Sequence, residues 1–179
     1  MLATHYISSP VGPLCLTADD AALRELRFAP TDTPELPEWL HQPPPSPLLA
    51  EAARQLGEYF AGDRCGFDLP LGPEVTPFQQ RVWAELRTIP YGATTTYGAV
   101  ARRLGDSLAV RAVGRANATN PLALVVPCHR VIGTGGKLTG FVGGTATKEW
   151  LLRHEARATP PTSLFEAMKE ADPSAAPGR

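Results

Sequence analysis

The chain has 179 residues, 43% of them hydrophobic and 20% charged, with a net charge of −1. That is the make-up of a globular protein, long enough for one large domain or two small ones. No apolar run approaches the about 20 residues of a membrane-spanning helix, and the start MLATHYISSP lacks the basic and apolar regions of a secretory signal. Cytoplasmic residence is therefore expected. Three cysteines, Cys15, Cys65 and Cys128, are odd in number and widely spaced, which argues against a disulfide framework and suits reduced thiols.

The near-neutral total hides two opposed halves. Residues 1–73 carry four Lys+Arg against ten Asp+Glu, a net of −6, whereas residues 74–157 carry eleven against five, a net of +6. Two structural units are expected, and the basic one suits a polyanionic partner, although attraction between the halves would explain the same charges.

In chain order, short runs at His5–Ser8, Leu14–Thr17 and Ala22–Phe28 lie between Pro/Gly and Asp-Asp turn signals. They predict a three-stranded antiparallel meander. The stretch PTDTPELPEWLHQPPPSP, residues 30–47, holds seven prolines and reads as an extended surface connection without helix. A helix follows, with Ser46 as cap, Pro47 in the first turn and Gly62 at the end. Its apolar positions are Leu48, Leu49, Ala52, Ala53, Leu56 and Phe60. CGFDLPLGP reads as a last short strand.

From Val75 the pattern becomes helical. Thr76 caps and Pro77 opens a helix with Phe78, Val82, Trp83 and Leu86 on one face. TTTYGAVARRLG places Tyr97, Val100, Ala101 and Leu104 at helical spacing, and a tight Gly-Asp-Ser turn leads to LAVRAVGRANATN. Two short helices so joined suggest a helix-turn-helix. The second is smooth, with Ala109, Ala112, Gly114, Ala116 and Ala118, and Arg111 and Arg115 stand out from it. Such a surface suits phosphates and shape better than base reading, and equally suits tight packing inside the domain. A Gly-rich stretch and a last helix, with Trp150, Leu151 and His154 on one face, complete the unit. Residues 158–179 read as a flexible tail with a short helix around Ser163–Lys169.

The run LVVPCHRVIG, residues 124–133, sets Cys128, His129 and Arg130 side by side between apolar stretches. Neighbours in an extended segment face apart, and no C-x₂-C pair exists, so a metal site is disfavoured. Cys128 is then either a small buried hydrophobe or a nucleophile. As a nucleophile it needs a base, because a free thiol with a pKa of about 8.5 is largely protonated. His129 reaches it only through an irregular backbone or a bridging water, and Glu155 is a candidate to orient the imidazole.

Taken together, TPFQQRVW, IPYG, RAVG, Asn120-Pro121, PCHRV, the Gly-Gly pair and KEWLLRHE resemble the O6-alkylguanine-DNA alkyltransferase (methylated-DNA–protein-cysteine methyltransferase) family in order and spacing over residues 74–156. The resemblance implies a ribonuclease H-like α/β domain over residues 1–73, a three-stranded antiparallel sheet plus helix. An all-α, winged-helix-like helix-turn-helix domain follows over residues 74–157. It also implies DNA repair by transfer of the alkyl group from O6 of guanine to Cys128, once per molecule. No cofactor or metal is expected; the N-terminal zinc ligands of some members have no counterparts here.

On the same basis His129 is the base acting through a water, Glu155 orients it, Tyr97 donates a proton to the leaving guanine, and Asn120 holds the turn before the cysteine. Arg111 is the finger that replaces the flipped nucleotide, with Ala112 and Ala116 along the minor groove. The backbone at Cys128 and Val131 reads the guanine edge, Phe141 and Val142 wall the pocket, and Pro127 and Arg130 are structural. Phe141-Val142 stands where many members carry Tyr-Ser, so both hydroxyls are missing and alkyl-size preference is left open. The expected partner is double-stranded DNA containing O6-alkylguanine, with O4-alkylthymine as a second candidate lesion, bound by a monomer, with cooperative binding along DNA an alternative. Competing readings are a damage sensor without transfer, which in that group typically has Trp in place of the cysteine, a helix-turn-helix regulator and a thiol hydrolase.

Overall fold

Alternation of apolar and polar residues in the first thirty positions produces three strands, β1 (Ala3–Ile7), β2 (Leu14–Ala18) and β3 (Leu23–Phe28). They form an antiparallel sheet in the order β1-β2-β3. In this computed structural model, which describes residues 1–30, 32 and 34–158, the chain divides into two units. The first comprises Met1–Val75 with Pro121–Val125, and the second Thr76–Asn120 with the described residues from Val126 onward.

In the first unit, Leu14 and Leu16 of β2 and Leu23 and Leu26 of β3 are fully buried, along with Leu49, Leu56 and Tyr59 of α2 (Pro47–Ala61). Ser46 accepts from the Leu49 amide and Gly62, at φ 87°, ends the helix in the left-handed conformation. Tyr59 takes the core position and Phe60, expected there, is half-buried against it. The proline-rich connection is not wholly extended: Pro37 sits in the first turn of a four-residue helix, α1 (Leu36–Trp39), a position that needs no amide donor. Trp39 of that turn stacks on Tyr6 at 4.9 Å.

The strand expected in CGFDLPLGP does not form. Leu71 makes a single parallel bridge to Leu23, with Pro70 and Pro73 on either side limiting the ladder. Buried Gln55 instead holds the segment, donating to the Asp68 carbonyl and accepting from its amide, each at 2.9 Å. Residues 121–125 join the sheet's far edge: the Leu26 amide donates to the Pro121 carbonyl and the Ala123 amide to the Leu26 carbonyl.

The second unit opens with α3 (Pro77–Arg87), whose Thr76 and Gln79 form a capping box. Val82, Trp83 and Leu86 of α3 are buried. Next come α4 (Tyr97–Arg103), capped by Thr96, and α5 (Val110–Ala118), joined through Gly105 at φ 84° and an Asp106 side chain that accepts from the Leu108 amide. This is the helix-turn-helix expected. The Trp83 indole donates to the Ala116 carbonyl at 3.0 Å, fixing α5 against α3. The unit is not purely helical: β4 (Thr95–Thr96) pairs in parallel with β5 (Val131–Ile132) over two residues. The last helix is α6 (Gly144–Ala158). The expected helix at Ser163–Lys169 lies outside the described residues, among which no helix is long and apolar enough to cross a membrane.

Candidate active site

Pro127 leads into one 3₁₀ turn, Cys128–Arg130, which runs directly into β5. The segment is therefore not extended. Three residues per turn send consecutive side chains about 120° apart, so thiol, imidazole and guanidinium leave the turn in three directions. All three residues are buried, at 3%, 0% and 7% exposure.

Asn120 pins the entry to this turn by donating to the Val126 carbonyl at 2.8 Å, across the five residues that belong to the other unit. Its side chain also hydrogen-bonds the Cys128 thiol. Burial pushes that thiol up from its ordinary value; the Asn120 bond, the charge of Lys148 and the backbone N–H groups of Cys128 and His129 offset this in part. The resting group is a protonated thiol.

The imidazole and guanidinium converge on Glu155 of α6. The carboxylate meets His129 Nε2 at 2.8 Å and accepts from Arg130 Nε at 2.9 Å, Arg130 Nη2 at 3.0 Å and the Gly92 amide at 3.0 Å. Burial alone would raise its pKa, but the hydrogen bonds and charges of His129 and Arg130 outweigh it and hold the group far below the usual carboxylate range. An ionised carboxylate only accepts, so His129 Nε2 must carry the proton and Nδ1 the lone pair. Nδ1 is buried with no hydrogen-bond partner among the described residues. Burial also lowers the His129 pKa, keeping the ring neutral near neutral pH. The arrangement is a neutral imidazole whose basic nitrogen has no partner among the described residues, on the residue that follows a buried thiol in the chain.

Arg130 donates its remaining reach to the Ile89 carbonyl at 2.7 Å and lies over the Tyr91 ring. Phe141 meets the His129 ring edge-on at 6.4 Å, while neighbouring Val142 is 63% exposed. Tyr97, half-buried at the start of α4, lies next to Asn117 of α5, 3.5 Å from its amide nitrogen. On α5, Arg111 and Ala112 are exposed with Arg115 and Ala118, but Ala116 faces inward at 3% exposure. Ala116, expected along the minor groove, is instead buried within the unit, and its backbone carbonyl accepts from the Trp83 indole.

Two residues were missed. Lys148 is fully buried and donates to the Val131 carbonyl at 2.6 Å and the Thr139 carbonyl at 3.0 Å. Val131's carbonyl is thus already engaged by a cation. The signal for Lys148 was present in the sequence, since Lys148, Leu151 and Glu155 follow i, i+3, i+7 spacing and form the buried face of α6. Trp150 and His154, expected on that face, stack on each other at 5.0 Å and stay half-exposed. The second missed residue is Asn117, whose surroundings nothing local announces. Among the described residues no group of three or more His, Cys, Asp or Glu could hold a metal ion.

Two family models cover the chain: 6-O-methylguanine DNA methyltransferase, ribonuclease-like domain, over residues 2–73, and the DNA binding domain of the same name over residues 77–157. The chain belongs to this family. A methylated-DNA–protein-cysteine methyltransferase of Mycolicibacterium paratuberculosis is 45% identical over 168 residues, covering 93% of this chain and 100% of the relative. One from Methanosarcina acetivorans is 47% identical over 149 residues, covering 82% and 94%. The crystal structure of the Mycobacterium tuberculosis O6-methylguanine methyltransferase matches with a TM-score of 0.77 at 45% identity, covering 90% of this chain and 96% of that one. A structure of Mycobacterium tuberculosis OGT in complex with DNA matches at 0.76 and 44%, covering 90% and 98%. In this methyltransferase the PCHR turn and Glu155 therefore lie within the segment matched by the DNA-binding model.

Removing one partner of a buried, hydrogen-bonded ion pair leaves the other uncompensated. Glu155→Ala should therefore lower stability by about 3–5 kcal/mol, read by urea denaturation at pH 7. Because the folded-state pKa of His129 is depressed, its contribution is present above the unfolded value of 6.5 and is lost as pH falls through the folded value. A His129→Leu variant should accordingly lose less stability between pH 7 and pH 5 than the wild type.

Proposed function

We propose that Cys128 is the alkyl acceptor of a self-consuming repair reaction. The protein is a DNA-repair alkyltransferase, moving the alkyl group of O6-alkylguanine in double-stranded DNA onto an active-site cysteine, one turnover per molecule. The observation that carries the assignment to Cys128 is the His129–Glu155 pair at 2.8 Å, which leaves a buried basic Nδ1 on the residue next to the buried Cys128.

The thiol proton passes to His129 Nδ1, directly or through a water, and the sulfur attacks the alkyl carbon as its bond to O6 breaks. Glu155 fixes the tautomer and stabilises the imidazolium that forms. Arg130 keeps Glu155 ionised, so its part is to hold the base's partner. The purine leaves as an anion that Tyr97 protonates. The product is a thioether on Cys128 and a guanine with its O6 restored, so the protein is spent without a cofactor.

Access requires the nucleotide to leave the stack, because the alkyl carbon is unreachable within a duplex and Cys128 is nearly buried. Exposed Arg111 on α5 is the side chain assigned to the vacated space, with Ala112 letting the helix lie close to the backbone of the DNA. Phe141 and Val142 offer the alkyl group an apolar wall without hydroxyl groups.

Mass spectrometry after incubation with an O6-methylguanine oligonucleotide should find one methyl group, on Cys128, and no more than one repaired base per protein. Intact binding without modification would instead favour a damage sensor. Arg111→Ala should slow repair of duplex substrate by about tenfold or more while leaving reaction with free O6-benzylguanine near the wild-type rate. Equal losses on both would remove the finger role.

A further inference from the structure

Asn117 is 2% exposed, yet nothing in the reaction described above uses it. Its amide nitrogen lies 3.4 Å from the Cys128 carbonyl and 3.5 Å from the Tyr97 hydroxyl. The Cys128 carbonyl can only accept, so the group facing it must be the NH₂ and not the amide oxygen. The orientation of the amide follows from this one contact. The second N–H is then directed at the Tyr97 oxygen, which receives it. The amide oxygen points away, buried and without a partner among the described residues. An unsatisfied buried acceptor lowers stability, so fold stability alone does not account for an asparagine here.

A phenol oxygen has one hydrogen to give and room to accept about two. Asn117 fills one accepting position of Tyr97, and the Thr139 side chain makes a further hydrogen bond to the same hydroxyl. Two hydroxyls can hydrogen-bond in either direction; where Thr139 donates, as Asn117 must, both accepting positions of the Tyr97 oxygen are filled and the phenolic hydrogen points elsewhere. Lys148 adds a positive charge 6.0 Å from the centre of the Tyr97 ring. Asn117 thus presents a donor to the hydroxyl, Lys148 a positive charge near its ring, and the Cys128 sulfur acts in the opposite sense.

We infer that Asn117 is a positioning residue that sets the polarity of Tyr97, accepting from protein and donating outward, and ties that hydroxyl to the backbone of Cys128. This deepens the acid role assigned to Tyr97 and rests on it. Asn117 lies six residues beyond Arg111 on the same helix, so the helix that carries the finger also sets the acid.

The test measures single-turnover transfer from free O6-benzylguanine, which needs no flipping, in Asn117→Asp, Asn117→Leu, Thr139→Val, Tyr97→Phe and the double variants with Tyr97→Phe. Aspartate keeps the shape of the side chain but only accepts, so it draws the phenolic hydrogen onto itself. Asn117→Asp should then be about as slow as Tyr97→Phe, and the double variant no slower than Tyr97→Phe alone. A purely structural contribution would instead multiply with the loss from Tyr97→Phe. Thr139 is exposed, so Thr139→Val keeps the fold even where the Asn117 variants do not, and its smaller loss should also vanish in the Tyr97→Phe background. If Tyr97→Phe itself transfers at the wild-type rate, the acid role of Tyr97 fails. If Tyr97→Phe is slow while Asn117→Asp keeps wild-type speed, or the losses multiply, the present inference alone is overturned.

Discussion

A single buried carboxylate organises the second unit. Glu155 is fully buried and receives hydrogens from an imidazole, two guanidinium nitrogens and a backbone amide. An ionised carboxylate in such a place is tolerated only when its acceptor sites are filled and its charge is matched. Arg130 supplies the charge, His129 a neutral donor, and Gly92 a donor from the turn before β4. Consequently α6, the PCHR turn and the turn after α3 are held together by one group. The orientation of the imidazole is a by-product of that arrangement.

The same carboxylate determines the chemistry available to Cys128. With Glu155 ionised, His129 has its hydrogen on Nε2 and its lone pair on Nδ1. Burial keeps the thiol protonated and the imidazole neutral, and the proton has to move for sulfur to become nucleophilic. Asn120, Lys148 and two backbone N–H groups surround the sulfur with donors and positive charge, favouring the thiolate once it forms. A protein that reacts once has no need to regenerate this state.

On α5, packing and exposure separate by face. Val113, Ala116 and Asn117 are turned inward, while Arg111, Ala112, Arg115 and Ala118 are outward. Small residues therefore do two jobs: on the outer face they leave a smooth exposed surface, the one proposed above to lie on DNA, and at Ala116 they let Trp83 reach a backbone carbonyl. Only the first was visible from composition.

What the sequence determined by itself is what local chemistry controls. Thr76-Pro77 with Gln79 specifies a capped helix start, period-two alternation specifies β2, and Gly105 with Asp106 specifies the turn of the helix-turn-helix. The run of family motifs named the reaction and singled out Cys128, His129 and Glu155. Tertiary structure decided whatever depended on a distant partner. Pro70 and Pro73 denied CGFDLPLGP a ladder and Gln55 held it instead. Packing chose Tyr59 over Phe60 for the core and turned Ala116 away from solvent. The PCHR segment became a 3₁₀ turn, which removed the expected opposition of neighbouring side chains. Lys148 was detectable from its spacing with Glu155, but Asn117 was not. Its meaning lies in the atoms of Tyr97 and Cys128, twenty and eleven residues away, and no spacing rule links a helix, a second helix and a turn before the chain has folded.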